Sequence, residues 1–252
     1  MKIGSSLSDQ QLSFFRRGVA KGGTMTEVTI TMIQRGCTIL ALMFAALNVL
    51  AQAPESPAKI ARAADAHYNR LKSFKAAFTE GYSSAGATRS ESGILWLKKP
   101  GRMRWEYHQP REKLFLTDGK TAYFYVPGEH QARKADVKKL DDIRSPLRYL
   151  LGKTKLEKEL DGLSFAPDVK PLQSGNTVLR GIPKDMKDRV SDVLLEISPS
   201  GQISRIVVHE VDGATTDFRF SGFEENIPVE DALFRFTAPP GVEMIQDTQV
   251  AQ

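Results

Sequence analysis

The sequence predicts a mainly β (α+β) fold, one antiparallel sheet that curls into a barrel with short α-helices over one mouth. Three observations predict it. Strand-like segments follow one another through tight turns, among them Asp118-Gly119, Pro199-Ser200-Gly201 and Asp212-Gly213. A helical period appears in only two places, before the first strand and between two runs of strands. The strands are also numerous, and a sheet of that size usually curls or closes.

Glu55–Phe74 reads as the first helix. Ile60, Ala63, Ala64, His67, Leu71 and Phe74 recur at three- and four-residue steps, with Lys59, Arg62, Asp65 and Arg70 on the other face and Pro57 suited to a helix start. From Phe78 the period shortens. Phe78 and Tyr82, then Ile94–Lys98, Arg102–His108, Lys113–Thr117 and Thr121–Val126 read as successive strands, with Lys99-Pro100-Gly101 at a corner. Residues 133–160 interrupt this pattern. In RKADVKKLDDIR, Val137, Leu140 and Ile143 form one stripe; Ser145-Pro146 then supplies an N-cap and a first helical position for Leu147, Leu150 and Leu151, and Gly152 can end that helix. Strands resume at Asn176–Arg180, Arg189–Ser198, Gln202–Val211, Thr215–Ser221 and Leu233–Thr237.

The N-terminus reads as an export address. Residues 32–53, MIQRGCTILALMFAALNVLAQA, place Arg35 before an apolar run from Cys37 to Leu50 and then small residues. The run is shorter than the about 20 residues a transmembrane helix needs. Cleavage is expected after Ala51; cleavage after Ala53 would leave Pro54 first, which disfavours it. Residues 1–31 are polar and sit awkwardly ahead of a leader, so they read as an over-extended gene start, with Met32 or Met25 as initiator. Residues 52–252 then form a single domain. Residues 1–51 hold five of the 35 Lys and Arg and two of the 30 acids, so the remainder carries 30 basic against 28 acidic residues, a net of +2 in place of +5. That balance argues against a nucleic-acid binder, whose basic footprint is strong. The only cysteine, Cys37, lies in the leader, so the exported chain must rely on an ordinary core.

A search for chemistry is mostly negative. No G-x-S-x-G, H-E-x-x-H, P-loop or paired-cysteine motif occurs, and His67, His108, His130 and His209 are dispersed without metal-ligand spacing. The sequence therefore points to no catalytic residue, no metal site and no cofactor. What stands out is apolar surplus. Met103, Trp105 and Tyr107 share one strand face against Arg102, Arg104 and Glu106; Tyr123-Phe124-Tyr125 is aromatic on both. In the preceding strand Leu95, Leu97 and Lys99 share a face and Ile94, Trp96 and Lys98 the other, with the inward face left open. Flat aromatics and methionine suit a deformable pocket as well as a core.

The order of motifs resembles one family. Tyr68-Asn69-Arg70-Leu71-Lys72-Ser73-Phe74 followed by Ala77-Phe78-Thr79, then Gly93-Ile94-Leu95-Trp96-Leu97-Lys98-Lys99-Pro100 and Arg104-Trp105-Glu106-Tyr107, are similar to the periplasmic outer-membrane lipoprotein carriers, LolA. So are Thr117-Asp118-Gly119-Lys120-Thr121, Ser145-Pro146-Leu147 with Leu150-Leu151-Gly152, and Phe234-Arg235-Phe236-Thr237-Ala238-Pro239-Pro240-Gly241-Val242. The resemblance implies an incomplete β-barrel with a helical lid over a hydrophobic cavity. It implies a periplasmic, non-enzymatic monomer that takes lipoproteins by their acyl chains from an inner-membrane ABC-type release complex to an outer-membrane lipoprotein acceptor.

On that basis the lipid-binding cavity is expected to be lined by Leu95, Leu97, Met103, Trp105, Tyr107, Phe115, Tyr123, Tyr125, Leu147, Leu150 and Leu151. In many members an Arg before the proline latches the lid; here Lys99 stands there, a looser anchor for the segment around Ser145–Gly152 because Lys lacks the planar fork. The alternatives are a carrier or sensor of another amphiphile such as a glycolipid, a hydrolase of lipid esters, and the pathway's acceptor. The hydrolase lacks a nucleophile motif, and the acceptor would need a cysteine at the cleavage site.

Overall fold

In the computed structural model, which describes residues 55–137, 146–150 and 155–246, twelve strands form one sheet in the order β12-β6-β5-β4-β3-β2-β1-β11-β10-β9-β8-β7. Six come first as a meander: β1 (Ser73–Ser84), β2 (Ala87–Lys98), β3 (Arg102–Gln109), β4 (Lys113–Thr117), β5 (Thr121–Tyr125) and β6 (Gln131–Asp136). Five more follow: β7 (Leu160–Phe165), β8 (Thr177–Pro183), β9 (Val190–Ile197), β10 (Ile203–Glu210) and β11 (Thr215–Glu225). Antiparallel pairing of β1 with β11, from Phe74↔Glu225 to Ser83↔Thr215, joins the two meanders at the middle of the sheet. The ends of the row, β12 and β7, are not neighbours, so the barrel stays open. The expected incomplete barrel is the observed architecture.

This order explains where the covering elements lie. The chain leaves β6 near one edge of the sheet and must re-enter at β7 on the other edge, so the connection has to cross from side to side. It carries a 3₁₀ turn (Pro146–Leu150) and the short helix α2 (Leu156–Glu159). Helix α1 (Pro57–Arg70) packs with them. Ser56 caps it, its hydroxyl accepting from the Lys59 N–H, and Pro57 occupies the first turn. Its buried stripe is Ile60, Ala61, Ala64, His67 and Tyr68, one position round from the expected one, with Ala63 exposed. The Tyr68 hydroxyl accepts from the Ile203 N–H at 3.1 Å, fixing the helix to the start of β10.

Several local readings need correction. The helix ends at Arg70, and Phe74 belongs to β1, where it faces Leu97 and Glu225 across the ladders. Its spacing from Leu71 fits a helix as well as a core-facing strand, and strand pairing prevails. Residues 133–136 of the expected helical interruption belong to β6; the Leu140 and Ile143 part of that stripe and the whole N-terminal leader lie outside the described residues. Leu233–Thr237 is no strand. It belongs to a strap that leaves β11, crosses the outer face of β1–β5 through a 3₁₀ turn (Asp231–Phe234), and ends in β12 (Glu243–Gln246), parallel to β6. Along the way the Ser73 hydroxyl donates to the Ile227 carbonyl, Lys98 to the Val229 carbonyl and Asp231, and Arg104 to the Leu233 carbonyl.

The main core lies on the concave face, between the sheet and its roof: Phe74, Phe78, Leu95, Trp105, Leu195, Ile206 and Phe220 belong to it, together with Tyr149 and Leu150. A smaller apolar cluster, Ala166, Val178, Leu194 and Val207, lies apart from it. There the Glu196 carboxylate accepts from the Leu172 and Gln173 N–H groups and from Asn176, pinning the loop before β8.

Candidate functional site

The strand alternation decides what faces the roof. Leu95 and Leu97 point to the concave side, fully buried, and Trp96 to the other, paired across the ladder with Arg104. Met103 and Trp105 follow on β3 and Phe115 on β4, all buried in the same cluster, while Tyr107 packs against it half-buried. Tyr123 and Tyr125 do not join them. On β5 the concave position belongs to Phe124, opposite Phe115; Tyr123 and Tyr125 lie on the outer face against Phe236 of the strap, at ring distances of 5.2 and 5.9 Å. An aromatic triplet is ambiguous until something covers its second face. Leu150 of the roof is buried against the concave core. The Leu147 side chain and Leu151 lie outside the described residues.

Deep in this face stands an aromatic cluster. Trp105 lies 4.5 Å from Phe78, 5.9 Å from Phe218 and 6.3 Å from Phe220, ring centre to ring centre, and Phe78 meets Tyr107 edge-on at 5.0 Å. Farther along β1 and β2 the same face turns polar. Glu80 lies directly opposite Glu91 in the ladder. The Tyr107 hydroxyl donates to Glu80 at 3.1 Å, and Lys113 donates to Glu91 while standing 4.3 Å over the Tyr107 ring. Burial pushes the Glu80 carboxyl above the ordinary carboxylate range, with the Tyr107 hydrogen bond opposing it. Burial also lifts the Tyr107 phenol, with Glu80 adding to the effect.

The roof is tied down by a few polar contacts. Arg148 in the 3₁₀ turn donates to Asp185 at 2.6 Å and to Glu159 at 3.2 Å. Beneath it Tyr149 is buried, which pushes its phenol up to about 12. Arg62 of α1 meets Glu157 of α2 through two bonds of 2.8 and 2.9 Å, and Asp65 accepts from the Leu156 N–H. The expected latch residue, Lys99, reaches the end of α1, donating to the Tyr68 and Asn69 carbonyls. Arg148 was not legible as a tie, because nothing in its own neighbourhood of sequence identifies Asp185 as its partner.

Between the end of α1, the β2–β3 corner and the roof runs a groove of about 240 Å³, counted out to open solvent, with Leu71, Phe74, Leu97, Lys99 and Leu150 on its walls. Among the described residues no group of three or more His, Cys, Asp or Glu side chains is placed to hold a metal ion.

Residues 69–237 match the family model of the outer membrane lipoprotein carrier protein LolA. The chain belongs to the LolA family. Similar LolA-type proteins include the outer-membrane lipoprotein carrier protein of Nitrosospira multiformis, 31% identical over 161 residues, 63% of this chain and 74% of that one. Another is the carrier protein of Edwardsiella ictaluri, 29% identical over 183 residues, 72% of this chain and 84% of that one. Among solved structures, a LolA superfamily protein from Nitrosomonas europaea aligns with a TM-score of 0.41 at 13% identity, covering 72% of this chain and 98% of its own. The Mycobacterium tuberculosis lipoprotein LppX aligns at 0.44 and 13%, covering 69% and 97%.

Proposed function

We propose that this chain is a periplasmic lipoprotein carrier that shelters its cargo's acyl chains on the concave face of the open barrel, beneath the roof. One observation carries the reading: a continuous aliphatic and aromatic face, from Leu97 through Trp105 to Phe220, is covered by elements that pack onto it and are tied to one another and to the sheet by a few ion pairs and helix-end hydrogen bonds. Each methylene withdrawn from water is worth about 0.8 kcal/mol, so one long acyl chain left in solvent costs on the order of ten. A carrier must enclose that surface and also give it up.

Tyr149 and Leu150 of the 146–150 turn are buried in that face. Loading therefore requires the 146–150 turn to move off the sheet, exchanging the Arg148 ion pairs and the seats of Tyr149 and Leu150 for the cargo's burial. Leu95, Leu97, Met103, Trp105, Phe115 and Leu150 are the proposed contacts of the acyl chains, with Tyr107 at the polar margin. Lys99 holds the end of α1, the wall beside which the roof must lift. The chemistry asked of the protein is binding and release, with no bond made or broken. Cargo would arrive from an ABC-type release complex in the inner membrane and leave to an outer-membrane acceptor.

Depletion of the protein in its native cell tests the reading. Lipoproteins destined for the outer membrane should accumulate at the inner membrane, and mass spectrometry of material co-purifying with the protein should find acylated N-terminal peptides. Correct lipoprotein sorting after depletion, with a glycolipid in place of those peptides, would replace this reading with that of a carrier for another amphiphile.

A further inference from the structure

The Trp105 indole presents an anomaly in the middle of the concave face. The residue is 1% exposed, and its Nε1–H has no hydrogen-bond partner among the described residues. Its ring neighbours Phe78, Phe218 and Phe220 carry no oxygen or nitrogen in their side chains. The hydroxyl of the fourth neighbour, Tyr107, is engaged with Glu80. A buried donor without an acceptor is destabilising, and such groups are rare in folded proteins. Phenylalanine would fill much of the same space without that cost. Trp105 belongs to β3, whose backbone is paired on both sides, so the indole stands on a rigid part of the sheet.

A lipid anchor brings the complementary problem. Its acyl chains are apolar, but each is joined to the rest of the molecule by an ester or amide carbonyl, an acceptor that loses its water when the chains are enclosed. A carrier that buries the chains needs a donor at the depth where the carbonyls come to rest. We propose that the Trp105 Nε1–H is that donor, kept for an acyl carbonyl of the cargo. This rests on the carrier reading above. It makes Trp105 a positioning residue: the hydrogen bond fixes how far the chains slide along the concave face and favours acyl-linked over simple alkyl amphiphiles.

Two probes on the full chain test it: a cysteinyl peptide bearing two palmitoyl esters on an S-linked glycerol, and the analogue with two hexadecyl ethers, which has the same chain length and no acyl carbonyl. Trp96 and Trp105 are the chain's two tryptophans, and Trp96 lies on the opposite face of the sheet, so its indole N–H resonance is an internal reference. Wild type should bind the ester probe about fivefold more tightly than the ether, or about 1 kcal/mol. Only the ester should move the Trp105 indole proton strongly downfield. Trp105→Phe should bind the two probes equally.

A Trp105 signal that responds alike to both probes, or a Trp105→Phe protein that keeps the ester preference, would overturn the proposal and leave the carrier reading standing. A wild type that binds neither probe would overturn both. The resonance comparison uses wild type alone, so it holds even if the variant folds poorly.

Discussion

Lys99 Nζ lies 2.5 Å from the carbonyl oxygen of Tyr68, with the Asn69 carbonyl at 3.1 Å, so the corner between β2 and β3 closes the end of α1. The residue after the helix, Leu71, is extended and brings no left-handed cap of its own. A cation there serves orphaned carbonyls and meets the negative end of the helix dipole. Lys99→Met is expected to lower stability by about 1–2 kcal/mol, whereas Lys99→Arg keeps most of it. Urea denaturation checks this; an unchanged midpoint for Lys99→Met would refute it.

The roof should loosen before the sheet does. Arg148 is largely buried and pairs with Asp185 and Glu159, and the turn it holds makes few other polar contacts among the described residues. Arg148→Leu is expected to reduce amide protection at Tyr149 and Leu150 by about tenfold or more, while protection in β9 and β10 stays near its original level. Equal loss in both regions would mean that the roof does not open on its own.

Glu80 gives a pH dependence with a definite sign. Its carboxyl is raised above 4.5 by burial, so the native state holds the proton more tightly than the unfolded chain does. The resulting stabilisation is complete below about 4.5, the unfolded value, and is lost as pH rises through the folded value. Glu80→Gln is uncharged throughout. Its stability relative to wild type should therefore increase as pH goes from 4 to 7. A difference that stays flat, or runs the other way, would show that Glu80 is not strained by its burial.

Gly201 separates crowding from backbone strain. Its φ is +87°, and an added Cβ would stand 2.5 Å from the Ala63 carbonyl oxygen on α1. Gly213 has almost the same φ, +89°, and nothing within 4 Å. Gly213→Ala should cost about 1–2 kcal/mol from the left-handed backbone alone. Gly201→Ala should cost about 3 kcal/mol or more, because the helix must also shift. Thermal denaturation of both checks this, and equal losses would show that α1 gives way freely.

Several hairpins of both meanders were legible. The turn pairs Asp118-Gly119 and Asp212-Gly213 lie where hairpins form, between β4 and β5 and between β10 and β11. The alternation through Met103 and Trp105 identified their shared face correctly, since on a strand with one buried side the period of two leaves little choice. The alternation of Leu95 and Leu97 with Trp96 left the choice open, since both sets are apolar. The same ambiguity misplaced Tyr123 and Tyr125. Both cases turned on the strap, whose Phe236 covers one face of β5 and whose path follows the outer side of β2 and β3.

Other features depended on partners far away in the chain. Phe74 is a strand residue because β11, some 150 positions later, pairs with it. Residues 131–136 are a strand because β5 and β12 flank them. The tie from Arg148 to Asp185 joins two loops that share no periodicity.

By itself the sequence determined an alternating, hairpin-rich chain with an apolar surplus and the ordered motifs of the LolA family. These are properties of neighbouring residues, read through backbone period and turn chemistry. Only the tertiary structure decided that the outer face of the sheet is strapped, which face of β2 and β5 turns inward, and that Trp105 is enclosed with no acceptor among the described residues. Those outcomes depend on long-range pairing and on which segments come to cover a face, and no local pattern encodes them.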